Sequence, residues 1–106
     1  MSNDKRGPAR DGELLTRRRT QLKRPPRYQV IFHNDDYTTQ VFVVDVLQRF
    51  FHKSYEEAHQ LMMTIHKAGK GIAGVYPFDI AETKRVQVEQ LAAQLEMPLR
   101  LTLEAE

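Results

Sequence analysis

The chain of 106 residues contains no cysteine. A disulfide framework and a thiolate metal site are therefore excluded, and nothing in the sequence argues for secretion. No apolar run approaches membrane-spanning length and no charged-then-apolar leader opens the chain, so we expect no membrane contact and a cytoplasmic location. Apolar residues make up 41% of the chain, which is ordinary for one globular domain with a modest core.

The net charge of +2 is unevenly distributed. Residues 1–24 hold eight Lys or Arg and three Asp or Glu, so this segment carries +5 and the rest of the chain −3. Residues 1–26 show little apolar periodicity and end in two prolines, which predicts a flexible basic extension followed by a core domain at 27–106. Because phosphate binding usually needs a basic face, a nucleic-acid-binding module would have to use the basic tail, and this remains the alternative function.

Apolar periodicity in the core domain predicts a strand followed by two helices. Tyr28–Phe32 alternates like a strand, and Gln40–Phe51 has its apolar residues at helical spacing, with Thr38 or Thr39 as the N-cap. A second helix begins after the capping box at Ser54 and ends at a glycine.

The remaining periodicity predicts a strand, a helix and a final strand. Gly71–Tyr76 is the second strand, and the cap signature Asp79–Glu82 opens the third helix. The buried stripe of that helix is predicted to contain Val88, Leu91, Ala92 and Leu95, and Leu99, Leu101 and Leu103 alternate on the last strand. The order β-α-α-β-α-β favours an α+β fold: a small two-layer sandwich with a three-stranded, mainly antiparallel sheet and three helices on one face.

An amide and two carboxylates, Asn34, Asp35 and Asp36, stand where the first strand gives way to a helix. Asn and Asp favour turns because their side chains bond to nearby backbone, so they have a structural explanation. They also suit the capture of an ammonium group, which has three donors and needs several converging acceptors. Both interpretations stay open on the residues alone.

His66 lies at the border of the apolar stripe of the second helix, one turn after Met62. A lone histidine on a helix is usually solvated, but a neutral imidazole at this border would also accept a hydrogen bond from an ammonium. No spacing typical of a metal site is present, and no phosphate loop, nucleophile elbow or cysteine nucleophile exists. We therefore expect no metal, no cofactor and no catalytic residue.

Together these segments resemble the ClpS family, adaptors of the bacterial Clp protease. The resemblance covers about residues 25–104 and rests on ordered motifs rather than on any one of them. The matching segments are Tyr28–Thr38, Phe42–Leu47, Leu61–Lys70, Asp79–Lys84 and Pro98-Leu99. The N-D-D-Y-T and A-E-T-K segments, with a histidine between them, are specific as a set.

The resemblance implies a binding protein, not an enzyme, that recognises N-degrons with a free N-terminal Leu, Phe, Tyr or Trp. It would deliver them to a hexameric AAA+ unfoldase of the ClpA type for ATP-dependent proteolysis. By position, the α-amino group of the substrate would be surrounded by Asn34, Asp35, Asp36 and His66, with Asp36 acting through a water. Its side-chain pocket would be lined by Thr38, Gln40, Val43, Met62, Ile65 and Leu99.

The resemblance also implies a surface that docks on the unfoldase, and at one position this chain departs from the family pattern. Asp79, Glu82 and Lys84 stand where the family docks on the N-terminal domain of the unfoldase, and the N-terminal arm takes part in hand-off. Gln40 stands where the family often has a methionine gate that helps to exclude β-branched residues. The ranking of Leu against aromatic residues, and the rejection of Ile or Val, therefore stays open.

Overall fold

The computed structural model describes residues 25–106, so the predicted extension at 1–26 lies outside the described residues except for its last two prolines. The elements follow the predicted order β-α-α-β-α-β, which is confirmed. Their bounds are β1 (Arg27–His33), α1 (Gln40–Phe51), α2 (Tyr55–Ala68), β2 (Lys70–Pro77), α3 (Phe78–Gln94) and β3 (Arg100–Ala105).

β1 is the central strand of the three-stranded sheet. The strand order is β2-β1-β3 and both pairings are antiparallel, which confirms the predicted sheet. Val30 and Phe32, in the middle of β1, belong to the hydrophobic core because a strand flanks β1 on either side and the helices cover one face. Ile31, between them, is 3% exposed but lies outside this core. The end of β1, where the N-D-D segment begins, is thereby fixed by pairing on both sides.

The helices form the second layer and share one hydrophobic core with the sheet. α3 contacts all three strands, α2 packs on β2, and α1 contacts both other helices. Fully buried side chains from the sheet and from each helix meet in this core, among them Phe32, Val46, Leu47, Ala58 and Val88. The ends of α1 and α2 nearest the N-D-D segment are consequently held by a packed interior.

Caps set the ends of α1 and α2. The Thr39 hydroxyl accepts a hydrogen bond from the backbone N–H of Phe42 at 3.1 Å, so of the two candidate caps Thr39 is the one used. The capping box of α2 is confirmed: Ser54 and Glu57 each accept the other's backbone N–H, at 3.1 and 2.9 Å. α2 ends at Gly69, whose φ of +92° is the left-handed conformation that glycine adopts without steric penalty.

Three details of the predicted third helix and last strand are wrong. α3 begins at Phe78, directly after β2, with Pro77 at the N-cap position and no side-chain cap, so Asp79 lies in the first turn. Leu95 is 53% exposed because it follows the last residue of α3, where the chain turns away from the core. Leu99 is buried as expected but precedes β3, which begins at Arg100.

Candidate functional site

The segment between β1 and α1 is a tight turn built around the Asp35 carboxylate. This carboxylate accepts the backbone N–H of Tyr37 at 2.8 Å, the backbone N–H of Thr38 at 2.6 Å and the Thr38 hydroxyl at 2.7 Å. A carboxylate has about four acceptor positions, so the turn uses most of those of Asp35 and leaves its neighbour Asp36 to other partners. The structural explanation of the acidic pair therefore holds for Asp35.

These contacts also set the protonation state of Asp35. Its partial burial would raise the pKa of the carboxyl, but the hydrogen bonds from Thr38 and Tyr37 outweigh it and hold the pKa below its ordinary value of 3.8. Asp35 is consequently ionised at neutral pH and adds a fixed negative charge to this turn.

The C-terminal end of α2 is tied directly to the end of β1. The backbone N–H of Asn34 donates to the carbonyl of Gly69 at 2.9 Å, and Gly69 in turn caps α2 through the carbonyl of Ile65 at 2.9 Å. The last turn of α2, which carries His66, is therefore fixed beside the N-D-D segment. Residues more than thirty positions apart in the sequence are brought to one place.

A cavity of about 380 Å³ lies between this turn, the start of α1 and the end of α2. It brings together nine of the ten residues predicted for the amino-group site and the side-chain pocket. The exception is Leu99, which is buried in the core and does not line this cavity. The lining residues are Asn34, Asp35, Asp36, Tyr37, Thr38, Thr39, Gln40, Val43, Met62, Ile65 and His66.

The cavity has an apolar wall and a polar rim. Val43, Met62 and Ile65 are buried members of the hydrophobic core that also face the cavity. Asn34, Asp36 and His66 are exposed at its rim. An apolar group would enter against the wall while a cation attached to it met the rim, because the two kinds of side chain lie in one cavity.

Gly71 keeps the wall in place. A Cβ at this position would lie 2.9 Å from Cγ1 of Ile65 and 3.1 Å from Cδ1 of Leu61, closer than side-chain carbons normally approach. β2 can therefore pack tightly against α2 only because residue 71 has no side chain, and this contact fixes Ile65 at the cavity.

Gln40 is the first residue of α1 and lines two cavities at once. The second is a groove of about 400 Å³ between α1 and α2, which also shares Met62 with the first. Its lining residues are Gln40, Val41, Val44, Asp45, Gln48, Tyr55, His59 and Met62. The sequence interpretation missed this groove, although Val41, Val44 and Gln48 at spacing i, i+3, i+7 form a second, partly apolar stripe on α1.

The predicted docking residues at the start of α3 have different surroundings. Asp79 is exposed in the first turn. Glu82 makes a bidentate ion pair with Arg85, with two contacts of 2.8 Å, and Arg85 also contacts Glu89 at 2.6 Å. The hydrogen bond from Arg85 is the main reason that the pKa of Glu82 lies below its ordinary value.

Lys84 is directed at the C-terminal end of α1. Its ammonium group donates to the carbonyl of Phe50 at 2.6 Å and lies 5.1 Å from the ring centre of Tyr76 and 5.6 Å from that of Phe51. A cation at the end of a helix compensates the unpaired carbonyls there, and aromatic faces attract it further. Lys84 therefore joins α3 to α1 and β2.

Two other features bear on function within the described part of the chain. Across residues 25–106, no group of three His, Asp or Glu side chains is placed to hold a metal ion. No helix in the same range is long and apolar enough to cross a membrane. The alternative of nucleic-acid binding relied on residues 1–24, which lie outside the described residues.

Comparisons with known proteins point to one family. The family model described as "ATP-dependent Clp protease adaptor protein ClpS" matches residues 23–102. The adaptor ClpS of Myxococcus xanthus is 54% identical over 85 residues, which span 80% of this chain and 79% of that protein. The adaptor ClpS of Shewanella piezotolerans is 53% identical over 85 residues, which span 80% of this chain and 83% of that protein.

A solved structure is similar over the same core. Agrobacterium tumefaciens ClpS2 bound to L-phenylalaninamide superposes with a TM-score of 0.76 and 40% identity, and the match covers 78% of this chain and 100% of that one. The family model spans most of the chain, and the identities over four fifths of it are well above those of unrelated proteins. This chain belongs to the ClpS family of adaptor proteins of the ATP-dependent Clp protease.

Proposed function

We propose that this chain binds proteins through a free N-terminal Leu, Phe, Tyr or Trp and delivers them to a AAA+ unfoldase of the ClpA type for ATP-dependent proteolysis. One observation carries the proposal: a single cavity has a buried apolar wall and an exposed rim of amide, carboxylate and imidazole. The ligand of the Agrobacterium tumefaciens relative has the matching parts, since phenylalaninamide joins a free α-amino group to a benzyl side chain. Its amide stands in for the first peptide bond.

The α-amino group is assigned to Asn34, Asp36 and His66 at the rim. An ammonium has three donors, and an amide oxygen, a carboxylate and a neutral imidazole nitrogen supply acceptors for them, with Asp36 acting directly or through a water. Asp35 adds negative charge while its oxygens hold the turn. An internal peptide lacks this cation, so it forgoes the charge-assisted hydrogen bonds that a free terminus makes.

The first side chain is assigned to the apolar wall formed by Val43, Met62 and Ile65, with Thr38 and Gln40 at its edges. Transfer of a large apolar side chain from water to such a wall contributes roughly 1.5–3 kcal/mol. Methionine adapts to ligands of different shape, so Met62 suits both branched and aromatic residues. Leu99 is buried in the same hydrophobic core as Val43, Met62 and Ile65.

Delivery requires a second surface, which we assign to the start of α3. Asp79 is exposed there between Phe78 and Ile80, which are 52% and 45% exposed. We assign Asp79 and these apolar neighbours to contact with the N-terminal domain of the unfoldase. Glu82 contributes through its ion pair with Arg85, and Lys84 acts by joining α3 to α1.

The remaining assignments follow from the role of an adaptor. The chain binds and transfers clients without covalent chemistry, so no cofactor is required. We also propose a cytoplasmic location, since an adaptor must meet the protease that it serves. The basic extension at residues 1–26 is assigned to the hand-off of the client to the unfoldase.

The first test is a panel of labelled peptides that differ only in their first residue, with affinity measured by fluorescence anisotropy. Leu, Phe, Tyr and Trp should bind at least about ten-fold more tightly than Ala, because each buries a large apolar side chain. The results for Ile, Val and Met report on Gln40, which replaces the methionine gate. Equal affinity for all first residues would contradict the assignment of the wall.

The docking surface is tested by Asp79→Lys, which reverses an exposed charge. The variant should lose affinity for the isolated N-terminal domain of a ClpA-type unfoldase while it keeps its affinity for a Leu-initiated peptide. Glu104→Lys makes the same charge change at an exposed position of β3 and is the matched control. Equal losses in the two variants would indicate a general charge effect and remove the assignment.

A further inference from the structure

The groove between α1 and α2 is continuous with the proposed N-terminal-residue cavity. Gln40 and Met62 line both, so the two spaces adjoin at these side chains. The two spaces are similar in size, about 380 and 400 Å³. A chain whose first residue occupies the first cavity therefore leaves it beside the mouth of the groove.

The groove is apolar at its base and carries an exposed apolar side chain on each side. Val44 and Met62 are buried beneath it. Val41 is 80% exposed and Tyr55 58% exposed, and both line it. Large exposed apolar side chains on both sides of a groove are typical of a surface that a partner covers.

The chemistry of the groove favours a large apolar or aromatic side chain. The rings of Tyr55 and His59 stand 6.0 Å apart and form one wall on α2. Asp45, the one carboxylate of the lining, is paired with Arg49 at 3.0 Å. An aromatic guest would contact Tyr55 and Val41 without displacing an ion pair.

The length of the groove identifies the part of the client that fits. Gln40 and Gln48 lie eight residues apart on α1, which corresponds to about 12 Å of helix. An extended peptide advances about 3.3 Å per residue and alternate side chains point the same way, so residues one and three are about 7 Å apart on one side. Residue two points to the other side.

We propose that the α1–α2 groove is a second specificity subsite, which receives a large apolar side chain at the third position of the client. This proposal rests on the proposed function, because the first residue must occupy the neighbouring cavity. The adaptor then recognises residues one and three of the client. Residue three adds affinity for clients already selected by their N-terminus.

The test compares three labelled peptides that begin Leu-Ala-Ala, Leu-Ala-Phe and Leu-Phe-Ala and are otherwise identical. Leu-Ala-Phe should bind about five-fold more tightly than Leu-Ala-Ala, as expected for a partly buried ring. The affinity of Leu-Phe-Ala should stay within about two-fold of that of Leu-Ala-Ala. The double variant Val41→Ser/Tyr55→Ser should abolish the gain and leave the affinity for Leu-Ala-Ala unchanged. Leu95→Ser, at another exposed apolar residue, should preserve the gain.

The outcomes separate the two proposals. If none of the three peptides binds, the proposed function fails. If all three bind equally, or if phenylalanine gives the same gain at positions two and three, the function stands and the groove proposal is overturned. A gain at position three that persists in the double variant would overturn it as well, because the ring would then contact another surface.

Discussion

The turn after β1 and the start of α3 each carry neighbouring charged side chains that have different roles. At the turn, the carboxylate of Asp35 accepts hydrogen bonds from the backbone, while Asp36 lines a cavity. At the start of α3, Lys84 and Glu82 are engaged within the chain, and Asp79 stands exposed among apolar neighbours. Adjacent charges in a motif therefore need not share a role, since one can hold the fold while the next is available to a partner.

Replacement of Asp35 tests the structural side of this comparison and has the largest expected effect. Asp35→Ala removes the acceptor of three hydrogen bonds, so the free energy of unfolding should fall by about 2–3 kcal/mol. Chemical denaturation measures the loss. Asp36→Ala is the matched control and should change stability by less than about 0.5 kcal/mol while weakening peptide binding.

If both aspartate variants lose the same stability, the division of roles between the two neighbours is wrong. The Asp35→Ala variant should also bind peptide more weakly, since Thr38 at the cavity edge depends on the turn.

Lys84 provides the corresponding test at α3. Lys84→Met keeps most of the aliphatic side chain but removes the hydrogen bond to Phe50 and the contacts with two aromatic rings. The free energy of unfolding should fall by about 1.5–2 kcal/mol, as estimated for a charged hydrogen bond that is partly exposed. Lys67→Met, on the exposed last turn of α2, serves as the control in the same denaturation experiment.

A Lys84→Met variant that is as stable as Lys67→Met but has lost unfoldase binding would reverse this interpretation. Lys84 would then contact the unfoldase directly, as the resemblance implied, and the contact with Phe50 would be incidental.

His66 tests the binding side of the comparison. His66→Ala should weaken the binding of a Leu-initiated peptide by about ten-fold, the equivalent of one lost hydrogen bond to a cation, with an unchanged melting temperature. Anisotropy and a melting curve measure the two effects. Lys67→Ala, one position further on α2, should leave both unchanged.

The smallest expected effect is the loss of folding stability at acid pH. Hydrogen bonds depress the pKa of Asp35 below 3.8, and those from Ser54 and Arg85 depress the pKa values of Glu57 and Glu82 below 4.5. In each case the unfolded chain takes up a proton first as pH falls, so the stabilisation is complete about one pH unit above 4.5 and is lost progressively as pH falls through the lowered pKa values of the folded chain. Denaturation midpoints should stay level from pH 7 to about 5.5 and then decline.

The Asp35→Ala variant should show a shallower decline below pH 4 than the wild type, because one of the depressed groups is gone. Asp36→Ala should follow the wild-type curve. A wild-type midpoint that rises towards low pH would contradict the assigned direction of these pKa values.

The sequence predicted the elements best where local chemistry alone determines them. Ser54 and Glu57 form the predicted capping box because both partners lie within one turn. The same pattern at Asp79 and Glu82 failed, since β2 runs directly into α3 and Glu82 pairs with Arg85 instead of the helix start. A cap signature does not reveal where the preceding strand ends.

The site was predictable as a set of residues but not as a geometry. The resemblance named the residues around the cavity, while the bond between Asn34 and Gly69 that brings them together joins distant parts of the chain. The resemblance also placed Leu99 in the pocket, whereas in the structure Leu99 is buried in the core just before β3 and is not among the residues that line the cavity. The α1–α2 groove was missed because Val41 lies off the main apolar stripe of its helix.

The central claim is that a free α-amino group is recognised together with the side chain beside it. Its most direct test is the affinity of three peptides that share one sequence and differ at the first residue: phenylalanine, N-acetylphenylalanine and 3-phenylpropionyl, which keeps the ring but lacks the nitrogen. The account predicts that both modified peptides bind about 100-fold more weakly than the free amine, because they lose charge-assisted hydrogen bonds while keeping the apolar contact. Affinities within a few-fold of each other for all three would contradict it.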